Sequence, residues 1–492
     1  MASNTEKVII DTESAEVVDS PRAAASAVEI EWTHEEERAV RLKLDKHIVP
    51  LVSLLYLLCF LDRNARIQGM AKDLDLKGLR FNWALTIFYM TYLTIEIPSN
   101  IVLKRVGPKF WLPFLVGAFG VVSVGTAFVR DFKDLCVARA FLGIAEGGTM
   151  PGIAFFLSSF YRREELLFRV GIYVSSSSLA GAFGGLLATA LSRIPRWGAE
   201  SAPIHTWRNI FFFEGLVTIL VAIAAPYFMP TRPSNCHFLN ERERLIATAR
   251  LAVDDKADPH EKIQKHHIKR AVFNINNIIC CAGFFLINIT VQSFSLFMPT
   301  ILNDLGWTAT KAQLYTVAPY VTACLVAIGI AFISDKTRMR GIYLAIFSLI
   351  TIVGFVILRT VQEANIRYMA VFFATLGAFP GGPAYISWGL NNAAGPAVRA
   401  VSSAYIVSVG TMGAIVATWT YRIADAPRYK VGHSINLGAQ AATFVLTVGA
   451  ILYVWRENKL RAKGRRDHRL VGLTEAEQLD LGHLHPEFRY IP

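Results

Sequence analysis

Apolar positions in this chain gather into blocks of about 20 residues, the length at which a helix crosses ~30 Å of hydrocarbon. Twelve such blocks follow one another, at residues 48–62, 82–103, 109–129, 135–160, 168–192, 208–229, 273–300, 312–334, 341–358, 368–390, 400–421 and 436–455. A soluble protein with buried helices would rarely repeat apolar segments at spanning length. The pattern therefore predicts an all-α, polytopic membrane protein with twelve transmembrane helices.

The polar stretches divide the chain. Residues 1–33 carry few aromatics and no periodicity, and are expected to form a disordered tail. Residues 34–46 (HEEERAVRLKLDK) read as an amphipathic helix on the membrane surface, leading into the first span. The segment 230–272 is the longest interior polar stretch, with a surface helix expected at 239–253 between Pro233 and Pro259. It separates a first six-helix bundle, 34–229, from a second, 273–457, and a polar tail occupies 458–492. Residues 142–148 read LGIAEGG and residues 376–382 read LGAFPGG, at matching places in the two halves. A Ser/Ala/Gly helix follows each, at 175–185 and 402–413. Such repeats point to pseudo-symmetric halves with a solute site between them near the midplane. The pairs Gly143/Gly147, Gly148/Gly152 and Gly181/Gly185 have the small-xxx-small spacing of closely packed helices. Tight packing is the plainer role for most of them.

Composition adds little until its distribution is considered. Apolar residues make up 53% and charged residues 18%, a membrane balance. The net charge of +12 does not signal nucleic-acid binding, because the cations follow topology. With both termini on one side, that side holds 33 of the 50 Lys and Arg residues, which predicts cytoplasmic termini and a cytoplasmic central loop. The tails and central loop carry most of this bias. The six cysteines have no zinc-like spacing. No cleavable leader is expected before the first span, and the GxxxxGK[ST] nucleotide loop is absent. Transport energy must then come from an ion gradient or from the solute's own. The tripeptide Asn288-Ile-Thr290 lies inside a span, so glycosylation there is not expected. His260, His266 and His267 belong to the charged loop and are read as solvated.

Ionisable groups within spans are costly and mark functional positions. Four stand out: Asp62 and Arg63 in the first span, and Arg139 and Glu146 in the fourth. A carboxyl in a low-dielectric cavity can load and release a proton, and an arginine offers a planar fork to a carboxylate. Local pairing that serves topology alone is the plainer alternative, about as strong for Asp62 and Arg139. Polar and aromatic residues at suitable depth in the second half are Gln292, Tyr320, Tyr385, Trp388 and Asn391, the kinds of groups that line small-ligand pockets. Glu96 and Glu214 sit nearer helix ends and are read as structural partners of basic residues.

Several segments carry a recognisable pattern: KLDKHIVPLVSLLYLLCFLDR (43–63), IEIPSNIVLKRVGPKFW (95–111), RAFLGIAEGGTMPG (139–152), SDKTRMRG (334–341) and DAPRYKVGHSINLG (425–438). On these the chain resembles the major facilitator superfamily and, within it, the anion:cation symporter family in its fungal allantoate-permease-like branch. The resemblance implies proton-coupling carboxylates at Asp62 and Glu146 and an anion-binding arginine at Arg63. The superfamily loop signature GxxxDRxGRR survives in altered form as Lys104, Arg105 and Lys109 in one half and Asp335, Lys336 and Arg340 in the other. Charges of this kind can latch the halves in one conformational state, or simply anchor the topology. One departure is clear: similar chains read DR-x-N-I-G-N-A, whereas Arg63 is followed directly by Asn64, Ala65 and Arg66. About four residues are missing, ~6 Å of helix.

The expected function is proton-coupled uptake of a small organic anion by alternating access, without enzymatic chemistry or a cofactor. The expected partners are the solute, a proton and the lipid bilayer of the plasma membrane, with no nucleic acid and a monomeric state. A non-transporting nutrient sensor is one alternative. Proton-driven export is another, weakened by the absence of a Gly-Pro pair from the fifth span.

Overall fold

The β-branched run Val8–Ile10 in Thr5–Asp11 and the apolar/polar alternation in Ala27–Thr33 suit strands, and the two segments pair as antiparallel β1 and β2. A tail without regular structure was the expectation here. Trp32 of β2 is buried, 1% exposed. The computed structural model describes residues 5–11, 27–61, 69–198, 203–254, 265–337, 339–394, 396–472 and 481–492. Asp62, Arg63 and the shortened segment after them lie outside the described residues.

Thr33 caps the next helix. Its hydroxyl accepts from the Glu36 N–H at 3.3 Å, and Glu36 returns a bond to the Thr33 N–H at 3.0 Å. The helices of the first half are α1 (His34–Leu58), α2 (Met70–Asp73), α3 (Arg80–Val106), α4 (Pro108–Thr126), α5 (Phe132–Glu146), α6 (Thr149–Ser158), α7 (Arg163–Leu191) and α8 (Trp207–Phe228). Two surface helices follow, α9 (Glu241–Asp254) and α10 (Lys265–Val272). The second half contains α11 (Ile275–Asn303), α12 (Ala309–Thr337), α13 (Arg340–Thr360), α14 (Ala364–Ala378), α15 (Gly381–Asn391), α16 (Pro396–Thr411), α17 (Gly413–Thr418) and α18 (Lys430–Ala462).

Among the described residues, ten spans are long and apolar enough to cross a membrane. Three of these are broken helices, namely α5–α6, α14–α15 and α16–α17. The two remaining long helices, α1 and α3, complete the twelve. Both fall short on composition for a physical reason. The first half of α1 is charged, and α3 strings Thr91, Thr94, Glu96, Ser99 and Asn100 along its length. The expected architecture, two bundles of six spans, is the one found.

At the end of the bundle that carries both termini, α9 is clamped to the first half. Arg250 is fully buried; it donates to the Phe160 carbonyl at 3.0 Å and to Glu165 at 3.1 Å, with Glu37 3.7 Å away. Burial draws the guanidinium below its ordinary range, and Glu165 and Glu37 act against that. Arg162 pairs with Glu37 at 3.1 Å, and Arg169 forks onto Asp45 at 2.7 and 2.9 Å. The second half has its own fastening. Residues 481–492 return beneath it, where the Ile491 carbonyl accepts from Trp388 Nε1 (2.8 Å) and from Asn392 (3.0 Å). Arg461 donates to the carbonyls of His483, His485 and Phe488.

Candidate solute path between the two halves

The halves meet most closely at the end away from the termini. Asn82 of α3 donates to the Thr418 carbonyl of α17, and the Thr86 and Thr418 hydroxyls lie 3.2 Å apart. Deeper in, Tyr89 of α3 donates to Gln292 of α11 at 3.0 Å. The ring of Phe81 meets Phe297 edge-on, and Trp83 meets Trp419 in the same way. Between α7 and α12 the approach depends on glycine. A Cβ on Gly181 would stand 2.8 Å from the Tyr320 ring, and one on Gly185 would stand 2.7 Å from the Gln313 carbonyl. The seam is thus shut by neutral hydrogen bonds, aromatic edges and close backbone contact.

Exchanging Thr418 for Val and Tyr89 for Phe together removes two of these hydrogen bonds at little cost in volume. Neutral hydrogen bonds contribute about 1 kcal/mol each, so the closed form should lose ~2 kcal/mol, roughly a thirtyfold shift in population. Spin labels at Lys77 and Ile423, exposed on opposite halves at this end, should show a longer-distance component that grows in the double variant. An unchanged distance distribution would contradict the seam's role.

Below the seam lie two buried carboxyls, Glu146 and Glu96. Glu146 ends α5 where Gly147 and Gly148 interrupt the span. This break is bedded on α3. A Cβ on Gly147 would be 2.5 Å from the Tyr92 carbonyl and from Ile95, and one on Gly148 only 1.8 Å from Ser99 Oγ. Residues 92–99 of α3 therefore sit beside Glu146, and that stretch carries Glu96. Glu96 is 4% exposed and Glu146 6%. Tyr92 lies within electrostatic reach of both carboxyls and of Tyr56 and Tyr173. One carboxyl oxygen of Glu96 has no hydrogen-bond partner. Tyr173 donates to the Met150 carbonyl just beyond the break, at 3.2 Å.

The other expected site residues are distributed differently. Gln292 and Tyr320 are at the seam, and Tyr320 donates to the Phe294 carbonyl at 3.0 Å. Tyr385 is fully buried within the second half, its hydroxyl 2.5 Å from that of Thr447 and its ring against Gly283. Trp388 is equally buried and occupied by the tail segment. Asn391 accepts from Arg340 Nη2 at 3.2 Å and Nε at 3.1 Å when its amide oxygen faces the guanidinium. Arg340 lines a narrow cleft of about 50 Å³ between α7, α12, α13 and α15, on the termini side of the bundle. Arg139 lies over the Phe211 ring of α8, 5.9 Å from its centroid. Arg105 and Lys336 are exposed, and Lys109 is half-buried at the α3–α4 corner. The side chains of Lys104 and Asp335 lie outside the described residues, as do Asp62 and Arg63 entirely.

Sequence reasoning passed over Tyr89, Asn82, Thr86 and Thr418, because single Thr, Tyr or Asn residues in a span carry no distinctive pattern. Glu96, read as a helix-end partner of a basic residue, is the more instructive misreading. It sits 16 residues into a 27-residue helix, well inside α3, and its depth could have been read from helix length.

Residues 52–418 match the sequence model of the Major Facilitator Superfamily. An uncharacterized transporter of Schizosaccharomyces pombe is 31% identical over 432 residues, spanning 87% of this chain and 88% of its own. The high-affinity nicotinic acid transporter of Saccharomyces cerevisiae is 29% identical, over 93% of this chain and 86% of its own. Among solved structures, a bacterial homolog of the human lysosomal transporter Spinster, inward-facing and unoccupied, superposes with a TM-score of 0.61 at 16% identity, covering 82% of this chain and 95% of that one. The xylose transporter XylE from E. coli, partially occluded and inward open, gives 0.61 at 13% identity, over 80% and 96%.

Proposed function

Because the chain belongs to the major facilitator superfamily, and is thereby a multi-pass membrane transporter, we propose that it takes up a small organic anion together with a proton. The observation that carries this reading is that Glu146 and Glu96 are both buried, Glu146 at a break in a span and Glu96 on the stretch of α3 packed against that break. Carboxyls at such positions mark proton relays in transporters. A broken helix beside them frees backbone groups to meet a solute.

In the proposed cycle Glu146 carries the coupling proton and Glu96 shares it across the α3–α5 contact. The solute's anionic group is taken by Arg63, with Gln292 and Tyr89 forming the polar ceiling that closes over it. Rocking of the halves then opens the termini side, and Arg340, with Asn391, stands at that exit. The lysine and arginine bias supports cytoplasmic termini, which makes the direction inward across the plasma membrane. Membership of the anion:cation symporter branch fits the nicotinic acid transporter among the relatives. That likeness makes an aromatic monocarboxylate the first solute to try.

The test is uptake of labelled nicotinate and a panel of vitamins, ureides and carboxylates into vesicles holding the purified chain, across an imposed pH gradient. Accumulation that follows the gradient is expected. Uptake indifferent to the gradient would remove proton coupling. Binding without flux would replace transport by sensing.

A further inference from the structure

The segment DAPRYKVGHSINLG, residues 425–438, is given no role in the proposed cycle, yet it helps build a second site. At the end of the second half away from the termini lies a cavity of about 240 Å³ between the loops that follow α11, α13 and α17. Among the described residues its charged lining is Arg359, Arg367, Arg428 and Lys430, against Asp304 as the one carboxylate. Asp304 already accepts a hydrogen bond from Tyr429. Arg428 reaches Gln362 Oε1 at 3.1 Å, so its charge is not neutralised there.

Arg367 is the decisive residue. It is 6% exposed and lines the cavity floor. Its Nη2 makes two long contacts, 3.5 Å to the Arg428 carbonyl and 3.4 Å to His433 Nε2, and its Nε has no partner. No carboxylate pairs with it among the described residues. A buried guanidinium without an anion is an expensive arrangement unless one arrives from outside. The surroundings favour one. The first turns of α14 and α18 open onto the cavity at Ala364 and Lys430, and helix N-termini attract negative charge. Helix α13 ends here with the opposite dipole, but Arg359 stands in its last turn.

We propose that this cavity binds a compact anion with a carboxylate or phosphate head. Arg367 forms its buried floor, and Arg428 and Lys430 form its rim. The volume suits a head group or a small metabolite and is below that of pockets for drug-sized ligands. Because the cavity faces the membrane boundary, the anion could come from solution or from a lipid head group. The site is separate from the coupling carboxyls, and its existence does not depend on which solute is carried.

The test uses the purified full chain in neutral detergent at fixed ionic strength. It is titrated calorimetrically with inorganic phosphate, succinate, dioctanoyl phosphatidylglycerol and dioctanoyl phosphatidylcholine. Saturable binding of at least one anionic probe is expected, with phosphatidylcholine silent. Affinity should fall about tenfold or more in the exposed-rim variant Arg428→Gln/Lys430→Gln, since charge-assisted hydrogen bonds are lost. Lys77→Gln, an exposed lysine at the same end of the other half, should leave it unchanged. Binding of phosphate or succinate identifies a soluble ligand. Binding of phosphatidylglycerol alone identifies a lipid site. Absence of saturable binding by every probe, or equal affinity in the rim variant, overturns the proposal.

Discussion

Replacing Glu146 by Gln should leave the carrier able to exchange solute but unable to concentrate it. Glutamine matches the shape of the protonated carboxyl, so the rocking halves retain their packing. What is lost is the link to the gradient. One proton moved down one pH unit supplies 1.36 kcal/mol, a factor of ten. With about two units imposed, the wild-type chain should therefore fill vesicles to roughly 100-fold above the outside, whereas the variant should stop near equality. Counterflow of labelled against unlabelled solute should persist in the variant. Glu96→Gln provides the comparison, because its carboxyl is buried beside the same break in α5–α6. An accumulation ratio preserved in Glu146→Gln and lost only in Glu96→Gln would move the coupling role to α3.

The second large effect is expected at Gly143, where substitution should prevent assembly of the first half. An added Cβ would fall 2.1 Å from Thr91 Oγ1 and 2.3 Å from the Phe88 carbonyl, and a backbone atom cannot swing aside as a side chain can. Gly377, its counterpart in the repeat, meets Thr351 Oγ1 at 2.0 Å and the Phe347 carbonyl at 2.3 Å. The same device serves both halves, although α3 is the second span of its half and α13 the third. Overpacking of a close interface costs about 1–3 kcal/mol, and more when backbone must move. Gly143→Leu should therefore abolish the monodisperse peak in fluorescence-detected size exclusion, and Gly143→Ala should lower its thermal midpoint sharply. Gly449→Ala is the control, since nothing lies within 4 Å of the added carbon. Equal thermal midpoints for Gly143→Ala and Gly449→Ala would mean that α3 and α5 do not pack at this distance.

The twelve spans were legible because their length is set by the bilayer and their composition by its interior. Their interruptions were not. Residues 135–160 read as one block, yet the chain breaks at Gly147 and Gly148, since hydropathy does not register a local loss of helical hydrogen bonding. Helical phase was the second blind spot. Tyr385 and Trp388 lie at suitable depth but turn into their own half, whereas Tyr320, chosen on the same grounds, reaches the seam. Residues 481–492 read only as part of a polar tail. Their docking uses backbone carbonyls facing Trp388, Asn392 and Arg461, which side-chain chemistry in a sequence does not reveal. The Arg367 cavity was not legible for a related reason: its cations come from two places far apart in the chain, Arg359 and Arg367 on either side of the α13–α14 turn and Arg428 and Lys430 at the start of α18.

The closed seam is held by hydroxyls, amides and ring edges, with no ion pair across it among the described residues. Parting a few neutral bonds lies within thermal reach, so the carrier needs no energy source merely to change state. Under the proposed coupling, the gradient decides only which way net traffic runs. Reverse the gradient, and the same molecule should empty a loaded vesicle as readily as it filled it.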